Sequence, residues 1–301
     1  MSSPKLLLHP VSFLFILAAA AVAKTGIAQD GAQKAPPLLP PVNDVAIRAS
    51  FEKKVTALME DGKTADVAEL LKGLQSKKVP DGTAFASPGE PQFLPESELY
   101  RRARKATLIF GRVYQCDRCD RWHGSNAGAV LIHPSGIAVT NYHVMDHKDS
   151  GAFAGMDSDG NVYPVAEILA ASKRDDLAIV RLVKSENGAD FPYMPLSTGD
   201  PIGTDVLVIS HPDGRYYTLS EGIIARYFID PKARTNRVQI TADYAKGSSG
   251  SGVFNERGEL TGVVAATSSI YYDQQKGVQK NLQMVVKSCI PVQSVRALFG
   301  K

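Results

Sequence analysis

The first strong hydrophobic feature is a run from Val11 to Ala23, almost wholly apolar and preceded by Lys5. Its length suits the centre of an export signal and is short for a membrane span. Ala21-Val22-Ala23 fits the small-x-small cleavage pattern, and Gly26-Ile27-Ala28 is a second candidate. Residues 1–28 are therefore expected to be a signal peptide. Leu6 to Leu8 could extend the run into an uncleaved anchor, but His9 and Pro10 interrupt it, and cleavage is the favoured reading. Residues 29–45 read as a stiff linker carrying Ala35-Pro36-Pro37-Leu38-Leu39-Pro40-Pro41. Apolar positions then take a helical spacing. Phe51, Val55, Leu58 and Met59 lie on one face, and Val67, Leu70, Leu71 and Leu74 on another, parted by Asp61-Gly62-Lys63. Residues 46–78 are expected to form a helical hairpin. It is too small to bury a core alone, so it packs on the rest of the chain, on a partner, or serves as a removable pro-segment. Residues 79–95, rich in Pro and small residues, read as a linker. Pro95 to Arg104 reads as a short helix.

From Thr107 the period changes. Thr107 to Tyr114, Ala129 to Ile132, Ile137 to Thr140, Leu177 to Val183, Val206 to Ile209, Thr218 to Ala225, Val238 to Ile240 and Leu260 to Ala266 are short β-prone runs. Turn residues separate them, as in His133-Pro134-Ser135-Gly136. Such spacing predicts an all-β sandwich or barrels for residues 96–301. Val292 to Phe299 suits a final helix.

Three pieces of this region carry chemistry. They are Thr140-Asn141-Tyr142-His143-Val144, Asp175-Asp176-Leu177-Ala178-Ile179-Val180 and Gly247-Ser248-Ser249-Gly250-Ser251-Gly252. A serine hydroxyl needs a base to take its proton and a carboxylate to orient that base. His143, Asp176 and Ser249 supply these in the order base, acid, nucleophile. The histidines stand at 9, 123, 133, 143, 147 and 211, so none follows Ser249. That excludes the α/β-hydrolase order, in which histidine comes last.

These motifs, with Ser210-His211-Pro212-Asp213-Gly214 and Val253-Phe254-Asn255, resemble the trypsin-like serine proteases, nearest the bacterial HtrA-like and V8-like branch. The likeness runs from about Lys105 to the C-terminus, with no PDZ-like domain expected after it. It implies two six-stranded antiparallel β-barrels of the chymotrypsin type with a C-terminal helix, preceded by a small α-helical extension. It also implies that the amides of Gly247 and Ser249 bind the oxyanion. Digestive relatives carry an aspartate before the nucleophile that pairs with a newly cut N-terminus. Here the residue is Ser248, so activation without such a terminus is expected. Asp243, six residues before Ser249, is a candidate for the floor of the S1 pocket, where a buried carboxylate would favour Arg or Lys. The strand around Val264 and Ala265 is expected to line the cleft and pair with an extended substrate.

Asp175 competes with Asp176, but the Asp-Leu-Ala-Ile pattern favours Asp176 and leaves Asp175 as a loop acid beside Lys173 and Arg174. His147 reads as an exposed bystander and His211 as structural. The three cysteines are Cys116, Cys119 and Cys289. Two readings stay open: a disulfide within Cys116-x-x-Cys119 or from it to Cys289, or a metal clip of Cys116, Cys119 and His123 with Cys289 as a further candidate. Export favours the disulfide. Net charge is only +3, and Arg101, Arg102, Arg104 and Lys105 read as a solvated helix face, so no nucleic-acid partner is expected.

The expected function is that of an exported serine endopeptidase, periplasmic or secreted, acting on protein or peptide through an acyl-enzyme. The mechanism requires no metal or organic cofactor. The rival is a binding or chaperone-like module on the same fold with weak or absent catalysis.

Overall fold

The computed structural model describes residues 38–300, apart from 91, 185–187 and 276. The signal peptide and most of the first linker therefore lie outside the described residues. Helices α1 (Asp44–Glu60) and α2 (Val67–Lys72) come first, followed by α3 (Glu96–Ala106). Asn43 caps α1 by accepting from the Ala46 amide, and Asp66 caps α2 by accepting from Glu69. Gly62, with φ 68°, lets the chain turn between the two helices.

Barrel 1 consists of β1 (Thr107–Gln115), β2 (Trp122–His133), β3 (Ile137–Thr140), β4 (Ser150–Met156), β5 (Val162–Ser172) and β6 (Leu177–Leu182). It closes in the order β1-β2-β3-β6-β5-β4, every pairing being antiparallel. Barrel 2 consists of β7 (Asp205–Ser210), β8 (Thr218–Ile229), β9 (Asn236–Ile240), β10 (Gly252–Asn255), β11 (Leu260–Gln275) and β12 (Val278–Pro291). It closes as β10-β11-β12-β9-β8-β7, the same connectivity. A one-turn helix, α4 (Tyr142–Met145), follows β3, and α5 (Val292–Leu298) closes the chain.

The helical extension packs on barrel 1. Phe51 and Val55 of α1 are fully buried, as are Leu108, Ile109, Phe110 and Val113 of β1. A strand buried on both faces requires such a cover, and each large apolar side chain removed from water contributes about 1.5–3 kcal/mol. Polar bonds fix the docking. Lys54 donates to the Gly160 carbonyl at 2.6 Å, and Glu52 accepts from the Gly124 amide at 3.0 Å. Asp44 reaches the barrel 2 side, accepting from the Tyr216 amide at 2.9 Å.

Residues 79–95 do not run free as a linker should. Val79 donates to Leu298 and Ala86 to Ile132, Leu196 donates back to Ala86, and Leu94 donates to Glu256. Phe85 is buried with its ring 5.0 Å from that of Phe299. The described part of the segment is a strap tied by these bonds to the strands and loops of both barrels.

Two strands differ most from their sequence signal. β11 and β12 extend far beyond the core as a paired ribbon, in which Ile270, Tyr272, Leu282 and Met284 are exposed. With no buried face to enforce alternation, the polar stretch Gln279 to Gln283 carries no strand signature.

Candidate active site

β3 ends at Thr140, its last residue paired with β6. The Thr140 hydroxyl donates to the Gly128 carbonyl at 2.8 Å, and the chain turns at Asn141 into α4. His143 thus sits in a short helix just past the strand. Its Nδ1 lies 2.9 Å and 3.0 Å from the two carboxylate oxygens of Asp176. The same carboxylate accepts the His143 backbone amide at 3.0 Å. Asp176 holds φ 62°, a conformation disfavoured for a residue with a Cβ, and Asn141 donates to its carbonyl at 3.0 Å. The acid is thereby clamped from both ends. Bound at Nδ1, the imidazole keeps Nε2 for a proton coming from elsewhere. The His143 side chain is 52% exposed, whereas that of Asp176 is 25% exposed.

Asp175 points to a different task. Its carboxylate accepts from the Ser172 hydroxyl at 2.5 Å and its amide donates back to that oxygen, which closes the β5–β6 turn.

The Ser249 loop comes from barrel 2 and meets barrel 1 by backbone contact. The Gly128 amide donates to the Ser249 carbonyl at 2.7 Å. A Cβ on Gly250 would lie 2.1 Å from the Gly128 carbonyl and 2.5 Å from the Thr140 hydroxyl, so only glycine permits this approach. Ser249 is therefore seated beside the segment that leads into His143. Among the described residues its hydroxyl has no hydrogen-bond partner.

The loop before it has a defined shape. The Lys246 carbonyl accepts from the Asp213 amide at 2.7 Å. In a trans peptide C=O and N–H point in opposite directions, so the Gly247 N–H is turned away from Asp213. Gly247 has φ 88°. Among the described residues the amides of Gly247 and Ser249 donate to no other group. Asp213, itself at φ 51° and paired with Lys246 at 2.9 Å, is the residue that sets this peptide. Its sequence signals are the Asp213-Gly214 turn and its place in the Ser210-to-Gly214 motif, neither of which points to this role. Ser248 is fully buried, and its hydroxyl has no partner among the described residues.

His211 is buried between the barrels. Its Nε2 lies 3.1 Å from the Leu108 carbonyl of β1 and its Nδ1 accepts the Tyr217 amide at 3.2 Å. Those partners require a neutral ring with the proton on Nε2, and burial pushes its pKa down to about 4. His147 lies beside Arg112 and Asp149 at the start of β4; burial is the main cause that lowers its pKa.

Asp243 does not occupy a closed pocket. Its side chain is 88% exposed and pairs at 3.2 Å with Lys287, which is only 10% exposed and also donates to the Tyr244 carbonyl at 2.6 Å. A solvated, neutralised carboxylate cannot act as the buried charge that the sequence reading required. Val264 is buried, and both its backbone groups are engaged inside the barrel: its amide donates to Ser251 and its carbonyl accepts from Gly250. Ala265, half-buried beside it, falls at an irregularity in the β11–β12 register.

Cys289 lies in the barrel 2 core against the Tyr244 hydroxyl, and burial raises its pKa to about 12. Cys116 and Cys119 lie in the β1–β2 turn on barrel 1. All three are free thiols, so none of the disulfides read from the sequence is formed. Bonds from the Arg121 backbone and then from His123 lower the Cys119 pKa to about 6.

Comparison with known proteins agrees with this architecture. A family profile described as a trypsin-like peptidase domain matches residues 124–263. A probable periplasmic serine endoprotease, DegP-like, from Buchnera aphidicola is 27% identical over 54% of this chain and 35% of its own length. The putative serine protease HhoA of Synechocystis is 28% identical over 58% of this chain and 47% of its own. Serine endoprotease DegS of Salmonella typhimurium is 31% identical over 44% of this chain and 37% of its own. The chain thus spans less than half the length of these relatives. Among solved structures, an HtrA-type protease with a bound tripeptide superposes with a TM-score of 0.54 at 19% identity, covering 68% of this chain and 62% of that one. That likeness concerns the fold. The profile match and the two-barrel architecture together make residues 124–263 similar to a trypsin-like peptidase domain.

Proposed function

We propose that this protein is an exported serine endopeptidase that cuts peptide bonds through His143, Asp176 and Ser249. The observation that carries the reading is the His143–Asp176 pair, bonded at 2.9 Å with Nε2 left for the serine side. His143 takes the Ser249 proton as the hydroxyl attacks the scissile carbonyl, then returns it to the leaving amine. Asp176 fixes the tautomer and stabilises the imidazolium. The amides of Gly247 and Ser249 receive the oxyanion, each such donor contributing about 3 kcal/mol of transition-state stabilisation. An acyl-enzyme on Ser249 is then hydrolysed by water. The residues need no metal for these steps.

Export rests on the leader composition and on the periplasmic assignment in the name of one relative. Among the described residues no helix is long and apolar enough to cross a membrane. The substrate class is protein or peptide, by similarity to proteases. The second reading, a binding module, draws on the Ser249 hydroxyl having no hydrogen-bond partner among the described residues. Apo sites often tighten only with substrate, which favours the first reading.

A fluorophosphonate probe separates them. Wild type should be labelled covalently and Ser249→Ala should not. Folded wild-type protein that resists labelling would favour the binding module. Peptide hydrolysis by Ser249→Ala should fall by roughly 10⁵–10⁶-fold.

A further inference from the structure

The β1–β2 turn holds a cluster that the protease reading does not use. Cys116 Sγ lies 3.3 Å from Cys119 Sγ and 3.4 Å from His123 Nε2, and Cys119 Sγ lies 3.1 Å from the same nitrogen. We propose that Cys116, Cys119 and His123 bind a zinc ion, with solvent or a small exogenous ligand completing the tetrahedron.

The triangle follows from the hairpin. Tyr114 pairs with His123 and Gln115 with Trp122, so the strands are in register up to the turn. Cys116-Asp117-Arg118-Cys119 then folds back and puts both sulfurs on one side. The His123 ring rests against Tyr114, centroids 5.9 Å apart, which limits its rotation. With zinc–sulfur bonds of about 2.3 Å and zinc–nitrogen bonds of about 2.0 Å, ligand atoms in a tetrahedral site stand about 3.6–3.8 Å apart. The triangle needs to open only by a few tenths of an ångström. All three side chains are half-buried, leaving access for an ion and for a fourth ligand.

The donor set decides the metal class. Two thiolates and an imidazole suit zinc and disfavour magnesium, calcium and manganese, which prefer oxygen. Two thiolates neutralise a divalent ion, and the thiols release their protons to solvent as it binds. Exposed Asp117, Arg118, Asp120 and Arg121 around the turn add as many positive as negative charges. Cys289 is not the missing ligand, since it is buried in the other barrel against Tyr244.

The position suggests what the ion would do. Gly124, next to His123, donates to Glu52 of α1. Trp122 and Met59 of α1 both pack over Gly151, where an added Cβ would meet them at 2.5 Å and 2.6 Å. Zinc would pin the end of the hairpin on which the helical extension docks. It stands apart from the triad chemistry, so failure of either proposal leaves the other intact.

The test uses the full chain, reduced and then freed of reductant under anaerobic conditions. Titrated with zinc and desalted, wild type should retain about one equivalent by elemental analysis. Titrated with cobalt(II), it should show thiolate-to-cobalt charge-transfer absorption in the near ultraviolet. Cys119→Ser and His123→Ala should bind zinc at least 10-fold more weakly, whereas Cys289→Ser should bind like wild type. Reduced wild type that retains no zinc and shows no cobalt–thiolate band overturns the site. So does equal zinc retention by wild type and Cys119→Ser. The cobalt spectrum of wild type decides the matter even where a variant fails to fold.

Discussion

In barrel 1 the groups assigned to proton transfer are already bonded to each other. His143 is held by Asp176 through ring and backbone, and Asp176 is held in turn by Asn141. In barrel 2 the groups assigned to the reacting carbonyl are held by their backbone alone, with the Ser249 hydroxyl and the Gly247 amide left without partners among the described residues. The strand order is the same in both. The difference lies in what each loop must do. A base and its orienting acid can satisfy one another in the resting state. A nucleophile and an oxyanion site must keep their bonding capacity for substrate, so a scaffold behind them carries the geometry: Asp213 behind Lys246, and Gly128 behind Ser249.

This contrast can be broken at several points. The largest effect is expected at the bonded pair. Asp176→Asn keeps the shape but supplies a donor where Nδ1–H needs an acceptor, so kcat should fall roughly 10⁴-fold while the fold survives. A loss below about tenfold in steady-state kinetics would show that Asp176 is not the orienting acid.

Next comes the unbonded loop. Gly247→Ala would force a side chain into φ 88° with its Cβ 2.8 Å from the His211 carbonyl. The peptide should rotate and its amide leave the oxyanion position. The expected loss is about 10²–10³-fold in kcat with KM little changed. A variant that loses affinity but not kcat would place Gly247 in substrate binding instead.

The seam between the barrels should respond to pH. His211 has an ordinary pKa of 6.5, lowered to about 4 by burial. Between these values the unfolded chain binds a proton that the folded chain does not. Stability is thus fully present above 6.5 and is lost progressively as pH falls towards 4, by about 3 kcal/mol in all. Thermal unfolding at stepped pH should show this slope, and His211→Gln, less stable at neutrality, should show a shallower one. Equal slopes would remove His211 as the acid-sensitive contact.

The smallest effect is expected at Asp243. Exposed and paired with Lys287, it should contribute below about 1 kcal/mol. Asp243→Ala should leave the ranking of cleaved peptides in a library unchanged. Collapse of cleavage after Arg or Lys would restore Asp243 as a specificity determinant.

Much of the candidate site could be proposed from residue order alone. His143, Asp176 and Ser249 each sit in a local pattern tied to chemistry, and the glycines of the last loop mark where backbones approach closely. Most strands with one buried face were also legible, since burial imposes alternation or an apolar run. β4, β5, β10 and β12 were less so. Their Gly-, Ala- and polar-rich stretches take strand form through neighbours far away in sequence. Asp213 entered only as part of the Ser210-to-Gly214 motif, with no role attached, because its action is a single peptide orientation that depends on Lys246 far along the chain.

From sequence alone came the residue types and their order: a candidate base, acid and nucleophile, a two-cysteine turn, and a helical extension with an apolar face. These are local properties of composition and period. Tertiary structure decided which of them meet. It docked the extension on barrel 1, turned residues 79–95 from linker into strap, and left Asp243 in solvent. It also sent Cys289 to the core of barrel 2 while gathering Cys116, Cys119 and His123 at one turn. Burial and pairing depend on atoms brought together by barrel closure, and no window of sequence contains them.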